Sequence, residues 1–204
     1  MRAPAKLYLA SSNPGKLAEF RALAQAARSS IPIEMELAPG FQNLPPFEED
    51  APTFAENAAG KALHYSRLQA GLVFADDSGL VVPALGGAPG VHSARYAGPA
   101  ATSSRRIEKL LGEMRGKAGS ERAAYFVCTI ALARQGRAIA VVSDRAEGEI
   151  LDVPRGSAGF GYDPAFYFPA LKKTFAELSS EEKNQHSHRG KAFRRLLNAL
   201  VSML

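Results

Sequence analysis

The chain predicts an α/β fold built on a mixed sheet, and three observations lead there. Its N-terminal part alternates apolar runs of strand length with stretches whose apolar residues recur at helical spacing, the pattern of crossover units that carry a parallel sheet. Further on, two long apolar runs flank Gln135-Gly136, a turn dipeptide that sends a strand back antiparallel. No internal repeat, low-complexity stretch or long linker divides the 204 residues, so residues 1–204 read as a single domain.

Taken in order, residues 6–11 form a short apolar strand. Asn13 before Pro14 reads as an N-cap with proline at the first helical position. Leu17, Phe20, Leu23, Ala24 and Ala27 continue at helical spacing, which predicts a helix to about Arg28. Residues 31–37 are a second strand, and 38–52 a loop rich in proline and acid. Thr53-Phe54-Ala55-Glu56 matches a capping box and opens a helix that ends near Gly71. Leu72-Val73-Phe74-Ala75 is a buried strand that stops at Asp76 and Asp77.

Beyond it, a Gly/Pro-rich loop over 85–90 leads to Ser93-Ala94-Arg95-Tyr96. Ile107, Leu110, Leu111 and Met114 mark one face of a helix closed by Gly116. Strands are predicted over 122–134, 137–143 and 147–153, followed by a glycine-rich loop over 156–164. Phe193, Leu196, Leu197, Leu200, Val201 and Leu204 form the apolar stripe of a last helix, with Ser187 as its cap.

Composition narrows the function only a little. Twenty-five Lys and Arg against 20 Asp and Glu give a net charge of +5, which suits an anionic small molecule as well as a nucleic acid. A basic stripe interleaved with exposed aromatics, the usual mark of RNA binding, is not visible. The single cysteine, Cys128, excludes an internal disulfide framework and permits a reducing compartment. The N-terminal apolar run is too short for a secretory signal, and no stretch is long enough to cross a bilayer, so the expectation is a cytoplasmic protein.

Four places carry chemistry. Ser11-Ser12-Asn13-Pro14-Gly15-Lys16 is a strand–loop–helix junction, where free amide N–H groups and the helix dipole attract phosphate. Lys16 in that first turn opposes the dipole unless an anion compensates it; the spacing is not that of a Walker A loop, and an ordinary capped helix with a solvated lysine is the alternative. Asp76 and Asp77, with Glu48-Glu49-Asp50 before them, are hard oxygen donors of the kind Mg²⁺ takes, and one aspartate could instead orient or deprotonate a water. Here Asp77 is the candidate for chemistry, Asp76 for a cap or support.

Gly159-Phe160-Gly161-Tyr162-Asp163-Pro164 sets an aromatic between glycines, able to stack on a flat ring or simply to turn the chain. Lys183 with Ser187-His188-Arg189-Gly190 puts cations in the first turn of the last helix, where they call for an acceptor. A zinc site lacks ligand spacing around Cys128, and no GxSxG elbow is present. Together the four places describe a nucleotide with its metal.

The combination resembles the inosine triphosphate pyrophosphatase family. Its elements occur in order: Ser11 to Lys16 as SxNxxK, Thr53-Phe54-x-Glu56-Asn57-Ala58, Asp76-Asp77-Ser78-Gly79-Leu80, Leu85-Gly86-Gly87-Ala88-Pro89-Gly90, Ser93-Ala94-Arg95-Tyr96, the Gly159–Pro164 loop and Ser187-His188-Arg189-Gly190. The resemblance implies an elongated mixed central sheet with two α/β lobes flanking an active-site cleft, Mg²⁺, a homodimer, and hydrolysis of aberrant purine nucleoside triphosphates (dITP, ITP, XTP) to monophosphate and pyrophosphate. No nucleic acid polymer or membrane is implied.

Carried over by position, Asp77 would be the catalytic proton acceptor, and Glu49 and Asp77 would hold the metal. Ser11, Ser12, Asn13, Pro14, Gly15 and Lys16 would bind triphosphate, while Ser78, Phe160, Gly161, Tyr162, Asp163, Lys183, His188 and Arg189 would line the nucleotide site. Ser11 stands where threonine is common, and Asn184-Gln185-His186 is more polar than the family pattern. A pyrophosphatase for modified pyrimidine nucleotides and a non-catalytic nucleotide- or RNA-binding module are the other readings.

Overall fold

The computed structural model describes residues 5–11, 13–27 and 32–203, with Pro14 described by its backbone alone. Ser12, one of the expected phosphate ligands, lies outside them. The strands are β1 Ala5–Leu9, β2 Ile33–Leu37, β3 Leu72–Val81, β4 Ala123–Arg134, β5 Arg137–Ile150, β6 Phe166–Phe168 and β7 Lys173–Thr174. The helices are α1 Pro14–Ala26, α2 Phe54–Leu68, α3 Ser103–Glu113, α4 Ser180–His186 and α5 His188–Met203. Strand order is β2-β1-β3-β4-β5-β6-β7, a mixed sheet. Two compact units emerge: Met1–Asp77, Cys128–Asp144 and Arg189–Leu204 make the first, Ser78–Val127 and Arg145–His188 the second.

In the first unit β1 pairs parallel with β2 (Leu7 opposite Met35) and parallel with β3 (Leu9 opposite Phe74). The chain leaves β1 through α1 to one neighbour, then returns through α2 to the other. Right-handed crossovers in opposite directions place the two helices on opposite faces. The core obeys this. Leu7, Leu9 and Phe74 pack with Phe20 and Leu23 of α1 and with Phe193, Leu196 and Leu200 of α5. Val73 and Ala75 pack instead with Ala58, Ala62 and Tyr65 of α2. Phe20 sits edge-on to Phe74 at 5.1 Å and tilted against Phe193 at 5.4 Å. Truncating any of these fully buried rings removes about 3–5 kcal/mol.

The second unit is built around Phe126, Phe166, Phe168 and Phe175, closed by Ile107 and Leu110 of α3 and by Met114, its C-cap. Short antiparallel pairings join β6 to β5 (Glu149 opposite Tyr167) and to β7 (Tyr167 opposite Thr174). The β4–β5 turn, in the first unit, has positive φ at both Gln135 (51°) and Gly136 (73°), the backbone a tight two-residue hairpin needs.

Several expectations change. The strand predicted to stop at the two aspartates runs on through them to Val81. Aspartate is poor in strands, so the acids read as a terminus; buried cations let the strand continue. The separate strand at 147–153 is the far end of β5. Helix α2 stops at Leu68, with Gln69 extended and its side chain on the Pro39 carbonyl at 2.7 Å, short of Gly71. Ser187 keeps its expected place directly before α5 and is in addition the C-cap of α4, its N–H on the Lys183 carbonyl. β6, β7 and α4 were not foreseen.

Candidate active site

Parallel pairing of β3 with β1 ends at Phe74, so the aspartates lie just past the carboxyl edge of the parallel strands, beside the loop that leaves β1. Open α/β sheets bind ligands at such an edge, where the strand order reverses. In a strand, successive side chains take opposite faces. Phe74 faces α1 and α5, so Asp76 does too; Ala75 faces α2, and so does Asp77.

Asp76 is fully buried, with Lys16 Nζ at 2.9 Å and Arg189 Nε at 3.9 Å. Burial alone would push its carboxyl up, but Lys16, Arg189 and Lys61 outweigh burial and hold it well below the usual carboxylate range. Arg189 is itself buried and ion-paired with Glu19 of α1. Burial works against its charge, yet Glu19 and Asp76 raise its affinity for the proton. The cations in the first turns of α1 and α5 therefore meet carboxylates of the chain itself. Asn13 caps α1, its Oδ1 accepting the N–H groups of Gly15 (2.9 Å) and Lys16 (3.3 Å). Ser11 Oγ accepts the N–H of Asn13 at 3.2 Å.

Asp77 has a different environment. Its Oδ2 accepts the Asn57 amide at 3.0 Å. Burial and, after it, the like charge of Glu49 raise its pKa, Lys61, Asn57 and Lys16 offset this only in part, and the net result is about 6. Glu49 is held by Lys61 Nζ at 2.7 Å. One carboxyl is thus held firmly ionised and the other brought to a pKa of about 6, the separation by which proteins divide supporting from reacting acids. Among the described residues no group of three His, Cys, Asp or Glu side chains is arranged as a ready-made metal cage.

The second unit holds the remaining candidates. Asp163 braces the glycine loop, its Oδ2 accepting the Phe160 N–H at 2.8 Å and Lys183 Nζ at 2.7 Å. Gly159 (φ 74°) has to be glycine, because a Cβ there would lie 2.1 Å from the Asp163 carboxylate. Lys183 also stands 5.0 Å above the Phe160 ring. The Tyr162 hydroxyl donates to the Ser93 carbonyl at 2.9 Å and is buried. His188 stacks on Phe126 at 4.7 Å. Gly161 and Ser78 are half-buried. A cavity of about 560 Å³ lies elsewhere in this unit, along α3, and contains none of the expected residues.

The geometry thus brings Lys16, Glu49, Asp77 and Arg189 into one charged cluster with Asp76, and sets Phe160, Asp163 and Lys183 together. Three members were missed: Glu19, Asn57 and Lys61. The signal for two of them was on view, since Asn57 and Lys61 interrupt the buried Ala58–Ala62–Tyr65 stripe of α2. Polar groups on a buried helix face require partners.

A family model described as the Ham1 family matches residues 7–199. A "dITP/XTP pyrophosphatase" of Geobacillus kaustophilus is 50% identical over 191 residues, covering 94% of this chain and 92% of its own. One of Desulfotalea psychrophila is 46% identical, covering 91% and 81%. Among solved structures, a HAM1 protein from Coxiella burnetii superposes with a TM-score of 0.85 at 41% identity, covering 97% of this chain and 99% of the other. The Staphylococcus aureus Ham1 protein gives 0.84 at 37% identity, covering 98% and 100%. By sequence and by fold, the chain belongs to the Ham1 family.

Proposed function

We propose that this chain hydrolyses aberrant purine nucleoside triphosphates of the dITP, ITP and XTP kind to the monophosphate and pyrophosphate. The observation that carries the reading is Asp77: a buried carboxyl with a pKa near 6 beside a second carboxylate, at the ligand-binding edge of the parallel strands. The names of the close relatives point to the same substrates.

A group with a pKa near the working pH exchanges protons readily, so Asp77 takes the proton of the water that attacks the α-phosphorus. Water supplies the oxygen to the monophosphate, and pyrophosphate departs. Lys16 neutralises charge on the departing oxygens; the N–H groups of Gly15 and Lys16 are taken by the Asn13 cap, so α1 contributes the positive end of its dipole rather than free N–H donors. Phe160 offers a ring for the purine. Asp76, held ionised, fixes Lys16 in place.

The donor set suits Mg²⁺. Glu49 and Asp77 are hard carboxylate oxygens close enough to repel, and magnesium ordinarily takes one or two carboxylates, completing its shell with phosphates and waters. Bound there, Mg²⁺ supplies Lewis-acid charge neutralisation. We further take the protein to be a cytoplasmic homodimer acting as a single two-lobed domain, as the resemblance implies.

The test is a panel of dITP, ITP, XTP, dATP and modified dTTP and UTP with Mg²⁺, in which pyrophosphate and orthophosphate are measured separately. Pyrophosphate from the inosine and xanthosine substrates, lost in Asp77→Asn, is the expected result. Turnover confined to the modified pyrimidines, release of orthophosphate, or ITP binding without turnover would overturn the reading.

A further inference from the structure

Residues 53–58 contain an asparagine that helix capping does not explain. Thr53 caps α2 by accepting the Glu56 N–H at 3.2 Å, and its hydroxyl donates to the Glu56 carboxylate at 2.7 Å. Asn57, one position on, is completely buried and does something else. Its Oδ1 accepts the Ala51 N–H at 3.0 Å. Its Nδ2 donates to the Ala51 carbonyl at 3.3 Å and to Asp77 Oδ2 at 3.0 Å. One rigid carboxamide thereby fastens the acidic loop, two residues after Glu49, to the strand that carries Asp77.

We propose that Asn57 is a positioning residue that sets the spacing between the Glu49 and Asp77 carboxylates, and through it the affinity of the site for a divalent cation. The proposal rests on the reading given under Proposed function. Asn57 would not touch substrate or reacting atoms.

Two facts favour this over simple loop anchoring. The loop has other fastenings to α2: the Phe47 N–H donates to the Tyr65 hydroxyl at 3.3 Å, and His64 Nε2 meets the Pro45 carbonyl at 2.9 Å. Those hold the loop without reaching β3; Asn57 alone among these contacts joins loop and strand. The chemistry also needs an amide. Serving Ala51 requires an acceptor and a donor in one plane, and serving Asp77 requires a second donor, a set that neither carboxylate nor hydroxyl offers. Lys61 offsets the repulsion between the two carboxylates only in part, so without the fastening their spacing is less well held and the cation must restore it on binding. Residues that orient metal ligands in this way typically change metal affinity by about 10–100-fold.

The experiment measures Mn²⁺ binding by titration of its electron paramagnetic resonance signal, in the presence of a non-hydrolysable α,β-imido dITP. Wild type, Asn57→Ala, the milder Asn57→Ser and the control Tyr65→Phe are compared, each with a thermal melt. Tyr65→Phe loosens the loop but leaves Asn57 alone. Asn57→Ala should weaken Mn²⁺ at least tenfold, with kcat partly rescued by excess Mg²⁺, while Tyr65→Phe keeps wild-type affinity.

Should Asn57→Ala fail to fold, Asn57→Ser carries the comparison, with a several-fold loss expected. The proposal is overturned if the Asn57 variants that fold bind Mn²⁺ like wild type, or if Tyr65→Phe weakens it equally. Failure of wild type itself to bind Mn²⁺ with the analogue would instead sink the reading of the site as cation-dependent.

Discussion

Asp77→Asn offers a sharp test of the electrostatics, because it should strengthen the metal-free fold while abolishing catalysis. Moving the carboxyl from 3.8 to about 6 makes its ionised form about 3 kcal/mol less favourable in the fold than in the unfolded chain. The folded state holds the proton more tightly, so this contribution is fully present below pH about 4. It fades as the pH rises to about 6 and is absent above.

Asparagine carries no such dependence, and turning its own carboxamide lets it accept the Asn57 amide. The variant should therefore match wild type near pH 4 and exceed it by up to about 3 kcal/mol at pH 7. For a chain of this size that is roughly 6–12 °C in Tm. Urea or thermal melts across pH in EDTA read this directly. Adding Mg²⁺ should narrow the gap, because the ion stabilises the protein that binds it. A variant less stable than wild type at pH 7 in EDTA, or a difference that does not change with pH, would refute the assignment.

Two further outcomes follow from the geometry. Lys16→Met removes the ammonium 2.9 Å from the fully buried Asp76, leaving Arg189 Nε at 3.9 Å, and should lower stability by about 3–5 kcal/mol; adding Asp76→Asn should restore much of the loss, as chemical denaturation will tell. Gly156→Ala sets a Cβ 2.5 Å from the Ala176 backbone at a φ of +81°, and should cost about 2–4 kcal/mol in the same assay, whereas Gly112→Ala, in open space on α3, should not destabilise.

Much of this was legible before any coordinates. Asn13 before Pro14, the Thr53 cap and the Gln135-Gly136 turn are local signals, and local signals survive folding. The pair of acids at the end of β3's apolar run was also readable, though not the buried partners that give the two carboxyls different surroundings. Short elements were not: β6 and β7 have three and two residues, too few for any periodicity to register. Pairing was hidden as well. The cations of α1 and α5 asked for an anion, and nothing in the linear order says that Asp76 and Glu19 meet them. Lys61 and Asn57 betrayed themselves only as polar breaks in the buried face of α2, and that signal does not say which groups they meet.

The two-residue rhythm of β3 gives the sheet's alignment a chemical meaning. With Leu9 opposite Phe74, Asp76 falls to the lysine and arginine and Asp77 to the asparagine and glutamate. Sliding β3 by a single residue would trade these addresses, giving the strongly acidic setting to one carboxyl and the near-neutral setting to the other. The apolar side chains of Val73 and Phe74 would change cores in the same slip. The packing that keeps phenylalanine on one face and valine on the other thus also selects which carboxylic acid exchanges protons near neutral pH.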